Sequence, residues 1–239
     1  MKPIVISHRG LHAVHPENSL PAFRAAVEAG VAWVECDVQR SFDDFPIIIH
    51  DDTLDRTTSG AGRVDRHLAE QLMQLRLRNG SGRPTDVRLP VLPRDRTALS
   101  GFWAKLLVEI KSPDAPRLVQ RTALAMRAAG FEWMIQSFDP ANLHHAARFA
   151  PRVPQALLIE HGDDLLAAVT GDWRALHVAA ALVDASLVNR LHARGRTIGA
   201  WTVNDKSDLR RMIALGVDRI ITDEPELAMS LLKDERGEP

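Results

Sequence analysis

A single cysteine, Cys36, stands in a chain of 239 residues. One thiol closes no intramolecular disulfide and anchors no cysteine-rich zinc module. An excess of either charge is equally lacking: 30 Lys and Arg face 31 Asp and Glu, giving a net charge of −1 and a pI near 6.8. A chain so balanced exerts no overall pull on nucleic acid or on an anionic membrane. No apolar run exceeds about six residues, against the roughly 20 that span a bilayer. Residues 1–8 are too briefly apolar for a secretory signal. There is no low-complexity tract, no coiled-coil heptad, and no glycine-rich dinucleotide fingerprint after the first β-rich run. The expectation is a cytoplasmic protein with no nucleic-acid partner and no stable membrane insertion. Its oligomeric state is left open.

What the chain does have is alternation. Extended runs are expected at 3–7, 31–40, 46–50, 106–110, 133–137, 153–159, 175–179, 197–202 and 219–222. Helical stretches fall between the later ones, at about 115–129, 140–149, 163–169, 185–194, 206–215 and 225–233. An earlier helix is capped by Ser19 or Asn18 and carries Leu20, Phe23 and Val27 on its apolar face. Regular strand–helix alternation calls for a parallel sheet, and this many units favour closure into a (β/α)8 TIM barrel over residues 1–239.

One strand is surplus to that barrel. Runs 31–40 and 46–50 are separated by about five residues, too few for a parallel crossover. They are therefore expected to form an antiparallel hairpin turning at Asp43-Asp44, with paired positions summing to about 87 and His50 opposite Asp37. Residues from about 51 to 101, rich in glycine and proline turns, read as a small insertion after that extra strand, with a short helix at 67–77.

Strand ends carry the unusual polar residues: His8-Arg9-Gly10, Glu35-Cys36-Asp37 and Glu109-Ile110-Lys111. In a parallel barrel the C-terminal strand ends build the site, so these groups should meet at one mouth. Glu35, Asp37 and Glu109 would then form a trio of carboxylates. Two bare charges about 4 Å apart repel by roughly 4 kcal/mol at an effective dielectric of 20. One hard divalent cation, Mg2+ or Ca2+, relieves the conflict and prefers oxygen ligands. His8 and His50, from neighbouring strands, can supply a general base and a general acid. Arg9 and Lys111 add the fixed positive charge that phosphate recognition requires. Cys36 alternates away from the site and packs behind the barrel wall.

At these residues the sequence resembles the glycerophosphodiester phosphodiesterase family, of the bacterial cytosolic type. The shared motifs are His8-Arg9-Gly10, Pro16-Glu17-Asn18-Ser19, Glu35-Cys36-Asp37-Val38, His50-Asp51, the run from Thr53 to Thr58, and Val108-Glu109-Ile110-Lys111. Ser137-Phe138-Asp139, Trp201-Thr202-Val203-Asn204 and Thr222-Asp223-Glu224-Pro225 complete the set. The resemblance implies a TIM barrel that hydrolyses a small-molecule glycerophosphodiester to an alcohol and sn-glycerol 3-phosphate. Carried over by position, His8 and His50 are the catalytic pair. Glu35, Asp37 and Glu109 are the ligands of one divalent cation. Arg9 and Lys111 contact phosphate, and Trp201 lines the substrate pocket. Two departures stand out. Pro90-Val91-Leu92-Pro93-Arg94-Asp95 replaces a family segment with an acidic pair, and Asp43-Asp44-Phe45 replaces Lys-Asp-Gly at the hairpin tip.

Two further readings are a lysophospholipase D or phosphodiester lyase on the same scaffold, and an inactive glycerophosphodiester-binding module. The first calls for an apolar apron that the insertion does not display; the second has no use for a paired acid and base. Six other histidines read as bystanders. His12 and His15 lie in the first mouth loop, within reach of substrate, and are read first as solvated loop residues, as is His161 after run 153–159, while His67, His144 and His145 are surface or packing residues.

Overall fold

The computed structural model describes residues 2–92 and 104–234. The chain opens with strand β1 (Ile4–Ser7), helix α1 (Leu20–Glu28) and strand β2 (Trp33–Arg40). The Ser19 hydroxyl accepts the Ala22 N–H at 3.2 Å and so caps α1, which buries Ala22, Phe23 and Ala26. Strand β3 (Pro46–Ile48) runs back antiparallel to β2.

The hairpin differs from expectation by one position. Val38 pairs with Ile48 and Arg40 with Pro46, so paired numbers sum to 86 rather than 87. The cause is the loop. Ser41 N–H donates to the Phe45 carbonyl at 3.0 Å, and Phe45 N–H donates to the Ser41 hydroxyl at 2.8 Å. That leaves three residues in the loop, with Asp44 in the left-handed region at φ 62°. His50 is therefore not opposite Asp37. The ladder ends before it, the chain bends there, and the Gln39 side-chain amide fixes the His50 carbonyl at 2.9 Å.

The following segment contains helix α2 (Ala69–Leu72) and a two-stranded ribbon of β4 (Arg76–Arg78) and β5 (Pro84–Arg88). The helix expected at 67–77 is thus confined to four residues. From Leu75 onward leucine and arginine alternate, a period-2 pattern that ends in the Asn79–Arg83 turn. Leu54, Val64, Leu72, Leu77 and Leu89 pack a small core of their own against Ile47 and Ile49. Thr58 braces this segment by donating to the Leu54 carbonyl at 2.7 Å. The expected exit of the insertion near residue 101 lies outside the described residues, as do Pro93, Arg94 and Asp95.

Thereafter the alternation is regular: β6 (Lys105–Ile110), α3 (Pro116–Ala129), β7 (Trp133–Ser137), α4 (Pro140–Phe149), β8 (Gln155–Ile159) and α5 (Gly162–Thr170). It continues through β9 (Ala175–Ala179), α6 (Ala185–His192), β10 (Thr197–Trp201), α7 (Lys206–Leu215), β11 (Arg219–Thr222) and α8 (Pro225–Asp234). Strand β1 pairs in parallel with both β11 and β2, which closes an eight-stranded parallel barrel and leaves β3 as the extra strand. Side-chain alternation then sorts the residues of β2. Val34, Cys36 and Val38 join the core between strands and helices, while Glu35 and Asp37 turn to the barrel interior. Ile6, Leu107, Met134, Ala156, Ala175 and Ile221 fill that interior. Among the described residues no helix is long and apolar enough to cross a membrane.

Candidate active site

The carboxylate trio sits where two neighbouring strands bring it. Asp37 and Glu109 are register partners of β2 and β6, and Glu35 lies one pleat back on the same face. Glu35 and Asp37 are fully buried and Glu109 is 7% exposed. One oxygen from each lies within 4.8 Å of the other two. Glu35 Oε1 and Asp37 Oδ1 accept no hydrogen bond, while Glu109 Oε1 is ion-paired with Lys111 Nζ at 2.9 Å. Burial, then the two neighbouring carboxylates, push Glu35 well up from its ordinary range. Burial and Asp37 likewise push Glu109 up, to about 7, against the pull of Lys111 and Arg9. Burial acts upward on Asp37 too, but Arg9, His50, Lys111 and Asn18 outweigh it and hold it down.

Buried carboxylate oxygens without donors are costly. Three oxygens this close match the donor set of a single ion with ligand distances of about 2.0–2.6 Å. Glu35, Asp37 and Glu109 therefore fit a hard divalent cation.

The turn after β1 supplies the surrounding cations. Arg9 (φ 55°) and Gly10 (φ 78°) both adopt left-handed backbone. A Cβ on Gly10 would lie 2.7 Å from the Ala22 carbonyl carbon, so only glycine lets this loop touch α1. The Arg9 N–H donates to Glu35 Oε2 at 3.0 Å, and Arg9 Nε lies 3.1 Å from Asp37 Oδ2. Asn18 grips Asp37 twice: its amide donates to Oδ2 at 2.8 Å and its oxygen accepts the Asp37 N–H at 3.1 Å. Glu17 accepts from Arg9 at 3.0 Å and from both terminal nitrogens of Arg56 at 2.7 and 2.9 Å. Arg56 in turn holds both oxygens of Asp51, and Asp51 Oδ1 lies 2.8 Å from His50 Nδ1. The Arg56 hydrogen bonds are the main reason that Asp51 falls to about 2.

Both histidines are thus clamped at Nδ1. His50 Nε2 accepts from the Lys111 ammonium at 3.1 Å, which identifies this imidazole as neutral with its proton on Nδ1. Burial, with Arg9 and Lys111, lowers its pKa despite the opposing Asp37 and Asp51. His8 Nδ1 meets Asp223 Oδ1 at 2.7 Å across the seam between β1 and β11. Both rings line a cavity of about 300 Å3 together with Arg9, Glu109, Lys111 and Trp201. Trp201 stands edge-on to Phe138, with ring centroids 5.4 Å apart, and donates from Nε1 to the His177 carbonyl at 2.9 Å.

The structure therefore brings His8, Arg9, Glu35, Asp37, His50, Glu109, Lys111 and Trp201 to one mouth. His12 departs from its expected place as a solvated loop residue. Its Nε2 shares Asp223 Oδ1 at 2.9 Å, and that hydrogen bond raises its pKa. His8, His12 and Asp223 also have a metal-like spacing, but Asp223 Oδ1 already bonds both rings, and Asn204 takes Oδ2 at 2.6 Å. Sequence reasoning also overlooked Gln136, which lines the cavity, and His177 below it, joined at 2.7 Å. Glu17, Asn18, Asp51, Arg56 and Asp223 lay within motifs already singled out, but their partners are up to 215 positions away.

Fold and site together define a (β/α)8-barrel enzyme with a cation-compatible acidic pocket, flanked by two imidazoles and two fixed positive charges. The sequence pattern of the glycerophosphoryl diester phosphodiesterase family matches residues 8–227, and the chain belongs to that family. It is 32% identical to the glycerophosphodiester phosphodiesterase of Caldanaerobacter subterraneus subsp. tengcongensis, covering 98% of this chain and 99% of that one. Identity is 27% to the glycerophosphodiester phosphodiesterase of Bacillus altitudinis, over 96% and 98% of the two chains. Among solved structures, an Oleispira antarctica phosphodiesterase in complex with the product sn-glycerol-3-phosphate superimposes with a TM-score of 0.84 at 25% identity, covering 97% of each chain.

Proposed function

We propose that this protein hydrolyses glycerophosphodiesters to an alcohol and sn-glycerol 3-phosphate, with the barrel and its insertion acting as one catalytic domain. The observation that carries the reading is the buried trio Glu35, Asp37 and Glu109, in which Glu35 Oε1 and Asp37 Oδ1 accept no hydrogen bond, at a cavity lined by two clamped histidines. The product bound to the Oleispira relative agrees with the size and charge of that cavity. These three carboxylates would hold one divalent cation, Mg2+ or Ca2+, which supplies charge neutralisation and polarisation of a phosphoryl oxygen.

Arg9 and Lys111 bind the nonbridging phosphate oxygens and stabilise the charge that develops on them. Lys111 leaves His50 Nε2 for the phosphate, freeing a neutral imidazole to take a proton from the attacking water. As the new phosphorus–oxygen bond forms, the bond to the leaving alcohol breaks, and His8 gives that alkoxide a proton. Asp223 holds the His8 ring by Nδ1, so Nε2 is the nitrogen that delivers it. Solvent then takes the proton from His50 and returns one to His8. Trp201 and Phe138 form the apolar wall against which the glycerol carbons lie.

Glycerophosphocholine turnover by His8→Ala and His50→Ala tests the pair. Each is expected to lose roughly 100- to 10,000-fold in kcat while remaining folded by circular dichroism. A wild-type rate in either removes that histidine from the mechanism.

A further inference from the structure

The opposite end of the barrel carries a second cavity, of about 710 Å3, lined among others by His144, Trp173, Arg174, Thr197 and Arg219. These residues belong to the helix-to-strand connections and the N-terminal strand ends, or to α4 beside them, so the cavity lies below the mouth described above. Arg219 is the first residue of β11 and is half-buried. Its guanidinium donates to the Thr197 hydroxyl at 3.0 Å, and among the described residues it makes no ion pair. The nearest acid in sequence, Asp218, is engaged elsewhere, by His192 at 2.9 Å and the Ile198 N–H at 2.8 Å.

Arg219 is not alone. Arg152, Arg174, Arg194 and Arg196 lie in the same set of connections, and none of them forms an ion pair among the described residues. Arg194 and Arg196 both donate to the Val169 carbonyl at 2.9 Å, which ties them to the rim. The one carboxylate lining the cavity is the exposed Asp172. A half-buried Arg219 without a counter-charge is unfavourable, and with the exposed Arg174 on the same cavity it makes a site poised for an anion.

The barrel interior keeps this cation in place. A Cβ on Gly199 would lie 2.6 Å from His177 Cδ2 and 3.3 Å from Arg219 Cβ, so the glycine makes room for both side chains. His177 is fully buried, and its Nε2 has no hydrogen-bond partner. At the open side, the rings of His144 and Trp173 lie 5.5 Å apart and tilted by 30°, which presents a flat aromatic wall. The volume falls within the usual range for small-molecule sites.

We propose that this floor cavity binds a phosphomonoester that carries a planar ring. Its phosphate sits on Arg219 and Arg174, as the fork geometry of a guanidinium favours, and its ring rests against Trp173. The site is separate from the catalytic mouth and independent of the function proposed for it.

Calorimetric titration with adenosine monophosphate and with inorganic phosphate tests this on the wild type and on Arg219→Gln, Arg174→Gln and Lys111→Ala. The expected result is binding of the nucleotide that weakens at least tenfold in Arg219→Gln and Arg174→Gln and survives in Lys111→Ala. Glycerophosphocholine turnover should be unchanged in Arg219→Gln. The solvent-exposed Arg174→Gln carries the test if Arg219→Gln fails to fold. Identical isotherms in wild type and both floor variants overturn the proposal. Equal affinity for inorganic phosphate and nucleotide overturns its ring component. Arginine-dependent binding seen only with phosphatidylglycerol vesicles overturns it in favour of a membrane-facing surface.

Discussion

Asp223 Oδ1 lies 2.7 Å from His8 Nδ1, although 215 positions separate the two residues. The bond crosses the seam at which the last barrel strand meets the first, so closure of the fold and orientation of a candidate catalytic ring are one event. Asn204 fixes the same carboxylate from the end of β10, donating to Oδ2 at 2.6 Å and accepting the Asp223 N–H at 2.9 Å. Burial opposes the charge on Asp223, but the hydrogen bonds from His12, His8 and Asn204 outweigh it and keep its pKa low.

Asp223→Ala should therefore lower kcat for glycerophosphocholine about tenfold or more while leaving KM within about twofold, because it unfastens an acid without removing a phosphate contact. Asp223→Asn, which keeps an acceptor, should fall between wild type and Asp223→Ala. Steady-state kinetics read both. A change confined to KM would place Asp223 in substrate binding instead.

Glu35→Gln removes one charge from the buried trio. Burial and its two acidic neighbours already drive Glu35 toward its neutral form. In chelator the variant should melt at a higher temperature than the wild type. The wild type should gain about 2.7 kcal/mol at a hundredfold excess of Mg2+ or Ca2+ over its Kd, and Glu35→Gln should gain much less. Differential scanning fluorimetry at several ion concentrations measures this. A wild-type midpoint that ignores every divalent ion would contradict a cation site at the trio.

His177 makes stability depend on pH. Burial, aided by Arg219, depresses its pKa to about 3. The unfolded chain, with an ordinary histidine value near 6.5, then binds more protons than the native one between about pH 3 and 6.5. Native stability is fully present above that window and declines as pH falls through it, by at most about 1.4 kcal/mol per pH unit from this group. Urea titrations at pH 7, 6 and 5 should show the decline in the wild type and a shallower one in His177→Gln. Parallel profiles would mean that the buried ring does not act this way.

Gly10→Ala should destabilise the fold and the site together. The residue combines φ 78° with contacts of 2.7 to 2.9 Å from the added Cβ to Ala22. Overpacking of this kind costs about 1–3 kcal/mol, and the displaced turn is the one that aims His8 and Arg9. A lower melting temperature with reduced kcat is expected. An unchanged melting temperature would show that the loop has slack.

Most of the barrel was legible in the sequence because its signals are local. Strands β6 to β11 and their helices follow from hydrophobic periodicity, and Glu35, Cys36 and Asp37 sort themselves by the two-residue pleat. The hairpin register depended on how many residues occupy one loop. A left-handed Asp44 makes that loop three residues long, and the side chains at 43–44 do not announce it. Leu75 to Leu77 was absorbed into a helix because its alternation is too short to outweigh the flanking leucines. The tethers of His8, His12 and His50 were illegible for another reason. Asp223 reaches His8 and His12, and Glu17 reaches the Arg56 that holds His50's neighbour Asp51, only after distant segments have come together, and no spacing rule connects them. His177, Gln136 and Arg219 went unnoticed because isolated polar residues within apolar strands carry no motif.

Glycerophosphocholine hydrolysis measured after exhaustive chelation, and again after return of Mg2+ or Ca2+, tests the assignment of Glu35, Asp37 and Glu109 most directly. The expected result is loss of turnover in chelator and its recovery with a divalent ion, with no recovery in Glu35→Gln or Asp37→Asn. Full turnover in chelator, or equal recovery in both variants, would contradict it.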